Sequence, residues 1–524
     1  MSSIPETLKA GLAAHRAGRL VEAEYMYRRV LEAQPNHAGA FHLLGLLAFQ
    51  MGKHEMAAQL VNDAIRFDAF KAIFPADLGE IYRTLGKIPE AIAAYRQSLR
   101  LNFEAPDAHT NLGTLLQAHG DLNEAVTCYR EALELDPQYA PAHHNLGAAL
   151  TAQGQWVEAQ AAFEACVRLT PDDAQSYLDL GHCLQSQGKL LEAVACYQKA
   201  IRLQPNSAEA HYRCGMARLL GGNFAAGWPE YEWGQQPRLA ERRFSQRTWN
   251  GADLRGRRIL IHTLCPLADT LQFIRYVPLV QQRGGVVTVE VEPVLLPLME
   301  QSGFTPAIAV GGPTPACDVQ VSLLSLPRIF GTTLDSIPAA VPYLAAPGDL
   351  IRTWHNTLAG FGGFRVGIVW QGDPAGDAEG FRSIPLAEFL PLAQVPGVTL
   401  ISLQKKDSLD RLSALGGAFS VVDLGQQLDE AHGAFMDTAA VMRNLDLVIT
   451  SDSAAAHLAG AMGVPVWIAL SFAADWRWLE ERADSPWYPS ARLFRQSVPG
   501  QWGDVFQNLA DALAQAVLKR SPSP

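Results

Sequence analysis

A period of 34 residues restricts this chain more than any other feature in it. Gly11, Gly45, Gly79, Gly113, Gly147, Gly181 and Gly215 recur at that spacing, and twelve residues beyond each stand Ala23, Ala57, Ala91, Ala125, Ala159, Ala193 and Gly227. Four residues further lie Tyr27, Val61, Tyr95, Tyr129, Phe163, Tyr197 and Tyr231, and Pro35, Pro137, Pro171 and Pro205 close four of the units. Such spacing describes two antiparallel helices per unit. The small residues let the first helix approach the second, the large ring fills the space beside that contact, and proline ends the second helix because it has no N–H to donate. One hairpin cannot bury its apolar face alone, so the units must stack.

The pattern resembles the tetratricopeptide repeat and covers residues 4–239 in about seven units, the last of them a cap. The resemblance implies an all-α superhelix whose groove takes a protein or peptide. Asn111, Asn145 and Asp179, just before their repeat glycines, suit hydrogen bonds to a peptide backbone. As solvated residues of a helix face they need no ligand, and the sequence leaves both readings open. Units two and three carry Ala69 and Phe103 where proline is expected. The seventh drifts into a run rich in Trp, Arg and Pro, with Trp228 and Trp233 expected to seal the stack against the next domain, and residues 240–257 read as a linker.

At 524 residues the chain is too long for one core. Hydrophobic residues make up 48% and charged residues 18%, a globular composition, and the net charge of -11 argues against a general nucleic-acid binder. No apolar run is long enough to span a membrane, and the first residues lack the basic and apolar regions of a secretory signal, so a cytoplasmic location is expected. Cys128, Cys166, Cys183, Cys196, Cys214, Cys265 and Cys317 form no CxxC pair; they read as buried reduced thiols, and neither disulfides nor structural zinc are expected.

From Arg258 the rhythm changes. RILIH, a helix ending in Gly-Gly, VVTVEV and PVLLPLMEQSG alternate strand with helix, and a second series runs from FRVGIVW through VTLISLQ and DLVITSD to PVWIAL. This is the pattern of two Rossmann-like halves, 258–350 and 364–518, giving an α + α/β chain overall. In DLVITSDSAAAHLAGAMG the strand delivers Asp452 and Ser453 to the start of a helix of small residues. Free N–H groups there suit a diphosphate, and the same residues suit an ordinary Asp/Ser cap; local physics does not choose between them.

The segments DTAAVMRNLDLVITSDSAAAHLAGAMGVPVWIAL and DWRWLEERADSPWYPSARLFRQ resemble the glycosyltransferase family 9 that includes the bacterial ADP-heptose transferases, and within it the subgroup with preceding tetratricopeptide repeats. The resemblance covers residues 228–510 and implies a GT-B pair of domains that uses a nucleotide-sugar donor without metal or cofactor. It implies donor contacts from Trp370, Gly372, Arg382, Ser383, Gln404, Asp452, Ser453, Ala454 and His457, with Arg382 neutralising the departing diphosphate. It implies Asp269 as general base on the acceptor hydroxyl. Two departures stand out: Pro266-Leu267-Ala268-Asp269 replaces the family's glycine-rich loop, and Gly376, Asp377 and Glu379 occupy an interval that is usually basic or polar. The expected function is therefore sugar transfer to an acceptor, a protein held in the repeat groove; the alternative is an impaired transferase-like domain that serves with the repeats as an interaction scaffold.

Overall fold

The computed structural model describes residues 3–235, 244–263, 265–313, 315–372, 383–405, 412–413, 415–424 and 427–520. They fall into two compact units, Met1–Cys183 and Leu184–Pro524. In the first, helices pair as antiparallel hairpins: Ile4–Arg16 with Leu20–Ala33, Ala38–Gln50 with His54–Phe67, Ile73–Thr84 with Ile88–Leu101, Pro106–His119 with Leu122–Leu135, and Ala140–Ala152 with Trp156–Leu169. A Cβ placed on Gly11, Gly79, Gly113 or Gly147 would sit 2.6 to 2.7 Å from the ring of Tyr27, Tyr95, Tyr129 or Phe163. The period thus records a close approach of helix backbone to aromatic ring, with the alanines of the second helix fully buried alongside. A second glycine column serves the turn inside each hairpin: Gly18, Gly52, Gly86, Gly120 and Gly154 all have positive φ, where any side chain would be strained.

Bonds between successive hairpins add a regular polar seam. His42 shares a hydrogen bond with Asp77 at 2.6 Å, and His144 with Asp179 at 2.9 Å, the same two positions three repeats later. Where proline is missing at Phe103, the boundary keeps its form because His109 Nε2 donates to the Phe103 carbonyl at 2.9 Å, as His143 does to Pro137 at 3.0 Å. Of the cysteines, Cys128, Cys166, Cys183, Cys214 and Cys265 are buried, Cys196 and Cys317 are partly exposed, and all are free thiols; burial pushes the Cys128 thiol up to about 12.

The second unit joins the last repeat helices to two parallel sheets. Its strands are β1 (Arg247–Thr248), β2 (Arg258–His262), β3 (Val286–Val291), β4 (Ala307–Ala309), β5 (Val319–Ser322), β6 (Phe364–Val369), β7 (Val398–Ser402), β8 (Val422–Asp423), β9 (Leu447–Ser451), β10 (Val466–Leu470) and β11 (Ala491–Arg495). The first sheet has the order β1-β5-β2-β3-β4, so Arg247–Thr248, within the stretch read as a linker, supplies an edge strand. The second has the order β11-β10-β9-β6-β7-β8, every pair parallel. Counted from β6, that is the order of the doubly wound dinucleotide-binding sheet, with its crossover between β6 and β9. These two central strands are nearly continuous apolar runs because helices cover both faces of the sheet.

The last repeat hairpin, Ala208–Leu220 with Phe224–Tyr231, packs into this unit. Trp228 seals the contact as expected: its indole N–H donates to the Thr332 carbonyl at 2.9 Å and its ring meets Trp476 edge-on. Trp233 instead stacks on His211 of its own hairpin, centroids 4.0 Å apart. The compact units therefore divide inside the helix Ala174–Ser186, and the last repeat helices share a unit with the two sheets.

Truncating Tyr129 to alanine empties the space beside Gly113 and should lower the stability of the first unit by about 3–5 kcal/mol in denaturant titration of the full chain. A loss below about 1 kcal/mol would show that the glycine–ring contact does not organise the repeat.

Candidate functional site

The residues at the β6–β9 crossover converge. β6 ends at Val369, and Gln404, just after β7, holds the next residues in place: its Oε1 accepts from the N–H groups of Trp370 and Gln371 at 3.2 and 3.1 Å, and its Nε2 donates to the Gln371 carbonyl at 3.1 Å. Ser383 returns to the same place, since the next residue, Ile384, donates its N–H to the Trp370 carbonyl at 2.8 Å. Gly372 then faces the end of β9. A Cβ there would lie 3.7 Å from the Asp452 carbonyl and 3.8 Å from the Ser453 Cβ. Gly372, Gln404, Asp452, Ser453 and Ala454 are thereby gathered at the carboxyl ends of the central strands. Arg382, together with Gly376, Asp377 and Glu379, lies outside the described residues.

The helix that starts here, Ala454–Ala461, has no side-chain cap. Ser453 is extended, and its Oγ pairs with Thr450 Oγ1 at 2.9 Å instead of turning to the helix N–H groups. The ordinary-cap reading of Ser453 therefore does not describe this turn. Ser451 Oγ, at the end of β9, and Trp370 Nε1 are buried without a hydrogen-bond partner among the described residues, the kind of deficit that a bound group or ordered water relieves.

Asp269, expected on the acceptor half, and His457, expected at the donor site, are both engaged by other side chains. Asp269 is buried at the junction of the two halves, on the helix Leu267–Phe273, where it forms an ion pair with Arg477. His457 points into the core: its Nδ1 bonds Tyr488 Oη at 2.8 Å and its ring stacks on Trp478 with centroids 5.4 Å apart. Burial, with the nearby Arg477 charge, lowers its pKa to about 3, so the imidazole is neutral. The small residues of this helix also have a packing explanation. A Cβ on Gly460 would collide with the Tyr488 ring, and the helix packs against Leu267–Phe273 of the other half.

Sequence reasoning overlooked the residues that build the junction. Arg275 and Arg477, one from each half, are both buried, and each reaches into the other half: Arg275 Nη1 donates to the Trp487 carbonyl at 2.7 Å, and Arg477 Nε donates to Gln272 Oε1 at 2.6 Å. The signal for Arg477 was the aromatic density of DWRWLEERADSPWYP, where an arginine between tryptophans marks a desolvated, stacked cation.

In the first unit, Asn111 is exposed and interacts with the Tyr95 hydroxyl, while Asn145 and Asp179 are partly buried and already bonded. Asn145 Nδ2 donates to Thr114 Oγ1 at 3.3 Å, and Asp179 accepts from Gln175 as well as His144. The Asp179 hydrogen bond raises the His144 pKa.

Comparison with known proteins accounts for the repeats. Models described as TPR repeat match residues 79–120, 117–154 and 183–221, and models described as Tetratricopeptide repeat match 8–72 and 140–173. The N-terminal region carries tetratricopeptide repeats. The chain is similar to Protein FlbA of Caulobacter vibrioides, at 28% identity over 322 residues, 56% of this chain and 52% of that protein. It thus spans about half the length of that relative, and the match is longer than the repeat region 4–239. Among solved structures it is similar to MamA from Desulfovibrio magneticus RS-1 at 24% identity, covering 33% of this chain and 98% of that one with a TM-score of 0.32. It is also similar to YrrB, a TPR protein with an unusual peptide-binding site, at 23%, covering 35% and 95% with a TM-score of 0.33.

Acid should expose the His457 environment. Its folded pKa lies below the unfolded value of about 6.5, so the unfolded chain binds the extra proton and stability falls as pH drops from about 6.5 toward about 3. His457→Gln should make the acid limb of the stability curve for the second unit shallower by about one proton. An unchanged slope would place the imidazole in contact with water.

Proposed function

We propose that the second unit is a GT-B glycosyltransferase whose donor diphosphate rests at the β6–β9 crossover, and that the repeats present a protein acceptor. The observation that carries this reading is the convergence of Gly372 with the uncapped helix start at Ser453 and Ala454. A glycine opposite open N–H groups gives an anion room to approach backbone, and the crossover is where doubly wound sheets take nucleotides. Trp370, Ser383 and Gln404 shape the floor, and Asp452 stands at the edge. Arg382 supplies the cation that a metal-free transfer needs as charge builds on the leaving phosphate. His457 supports the site from behind, through the helix it sits on. The donor is a nucleotide sugar, no cofactor is required, and the acceptor is met by the helix-face residues around Asn111.

A second reading is favoured by one observation, the Asp269–Arg477 ion pair. A carboxylate held by a buried guanidinium is not presented to an acceptor hydroxyl. On this reading the unit binds nucleotide sugar and serves with the repeats as a scaffold.

Titrating the full chain with ADP, UDP and GDP and their sugar conjugates by calorimetry tests the first claim. Saturable binding with Kd between about 1 μM and 1 mM is expected for one base, weakened at least about tenfold by Gly372→Val and by Arg382→Ala. A folded chain that binds none of them removes the donor site. Asp269→Asn separates the two readings: loss of transfer by about 10² to 10⁴ with unchanged stability marks a general base, whereas lowered stability with binding retained marks a structural ion pair.

A further inference from the structure

We propose that the turn Trp476–Trp478 mechanically couples the last repeat hairpin to the helix that opens the candidate ligand site. Between them its three consecutive residues reach the hairpin, the first half and the helix Ala454–Ala461. Trp476 packs into the hairpin, its ring edge-on to Trp228 at 5.3 Å and beside Tyr231 at 5.5 Å. Arg477 enters the first half, with Nε on Gln272 at 2.6 Å and Nη2 on Asp269, while Nη1 bonds Asp475 at 2.7 Å and Nη2 lies 3.4 Å from the Tyr231 hydroxyl. Trp478 lies almost flat on His457, at 21°, within the helix Ala454–Ala461 whose start faces Gly372.

Three features make this turn a transmitter and not a passive filler. All three side chains are buried, and buried rings and a fully engaged guanidinium have few alternative positions. The turn is clamped at both ends. Asp475 accepts from the Arg477 N–H at 3.1 Å, and Leu479 leaves with φ of 56°, a left-handed conformation that a leucine keeps only where its surroundings impose it. Finally, Arg477 cannot shift toward one body without releasing another: moving with Tyr231 strains the bonds to Asp269 and Gln272, and moving with the first half drags Trp476 and Trp478. A displacement of the hairpin therefore reaches His457, and through its helix the N–H groups at the crossover. The coupling belongs to the fold; its effect on donor affinity rests on the proposed function, and by reciprocity the donor would order the hairpin in turn.

Hydrogen exchange on the full chain tests this without any ligand. Trp228→Phe loosens the hairpin face of Trp476 and should speed amide exchange in Ala454–Ala461 at least about fivefold while leaving β7, which is remote from the turn, unchanged. Equal acceleration in β7, or none in Ala454–Ala461, overturns the proposal. Tyr231→Phe, which removes only one hydroxyl, takes the place of Trp228→Phe if that variant does not fold, with a smaller shift in the same segment expected. A second arm adds the nucleoside diphosphate that binds in the calorimetric titration: exchange should slow in Phe224–Tyr231 of the wild type and not in Arg477→Lys. Protection of Ala454–Ala461 without protection of Phe224–Tyr231 overturns the coupling, whereas absence of binding overturns the donor site and leaves the coupling to be decided by the first arm.

Discussion

A buried guanidinium must be balanced, and that requirement at Arg477 organises the second unit. Taking the charge out of water costs several kcal/mol unless carboxylates and hydrogen bonds replace the solvent. Asp475 and Asp269 do so, holding Arg477 charged against the penalty of burial. The two carboxylates sit in different halves, so the charge is satisfied only when the halves are docked. The repeat hairpin is drawn in by the same centre, because Trp476 under the guanidinium at 4.5 Å is also the ring on which Trp228 and Tyr231 rest. Arg275 repeats the logic from the opposite side with carbonyls and rings, stacking on Tyr343 and Tyr488 at 4.6 Å. Neither arginine can be removed without leaving the other groups of its network unpaired.

This docking sets what the crossover can offer. Tyr488 is pinned between the Arg275 stack and the His457 imidazole, and Gly460 is the residue small enough to lie against its ring. The helix Ala454–Ala461 is thus held by packing along its length, while its start carries no side-chain cap. Rigid open N–H groups are preorganised for an anion; a mobile cap would have to be displaced first.

Legibility followed the range of the interaction. The repeat hairpins were readable because one local contact, glycine against ring, recurs at a fixed spacing, and the parallel sheets because their strands are continuous apolar runs. The turn glycines from Gly18 to Gly154 carried an equally regular signal that the first column overshadowed. Gly372, Gln404, Asp452 and Ser453 follow the ends of β6, β7 and β9, positions that a local strand pattern discloses. Asp269 and His457 were another matter. Their surroundings come from Arg477, Trp478 and Tyr488, which no local pattern ties to them, and a carboxylate facing a hydroxyl looks the same in sequence as one facing a guanidinium. The last hairpin keeps the local repeat pattern, and its distant partners, such as Arg477 on Tyr231, are set by the same long-range packing.

The junction also bears on how any transfer would proceed. A proton taken up by Asp269 would neutralise one of the two carboxylates that balance Arg477 and leave a buried cation short of charge, a cost that falls on the docking of the halves. Catalysis through Asp269 therefore requires the Arg477 contact to open as the acceptor arrives, so that proton transfer and the relative position of the halves change together. If that opening does not occur, the ion pair is purely structural and the unit binds without transferring. The Trp476–Trp478 turn puts this choice under the influence of the last repeat hairpin: whatever moves Tyr231 moves the guanidinium that holds Asp269. An acceptor seated on that hairpin would then be placed to release the base, and a partner that only stiffens it would keep the base locked.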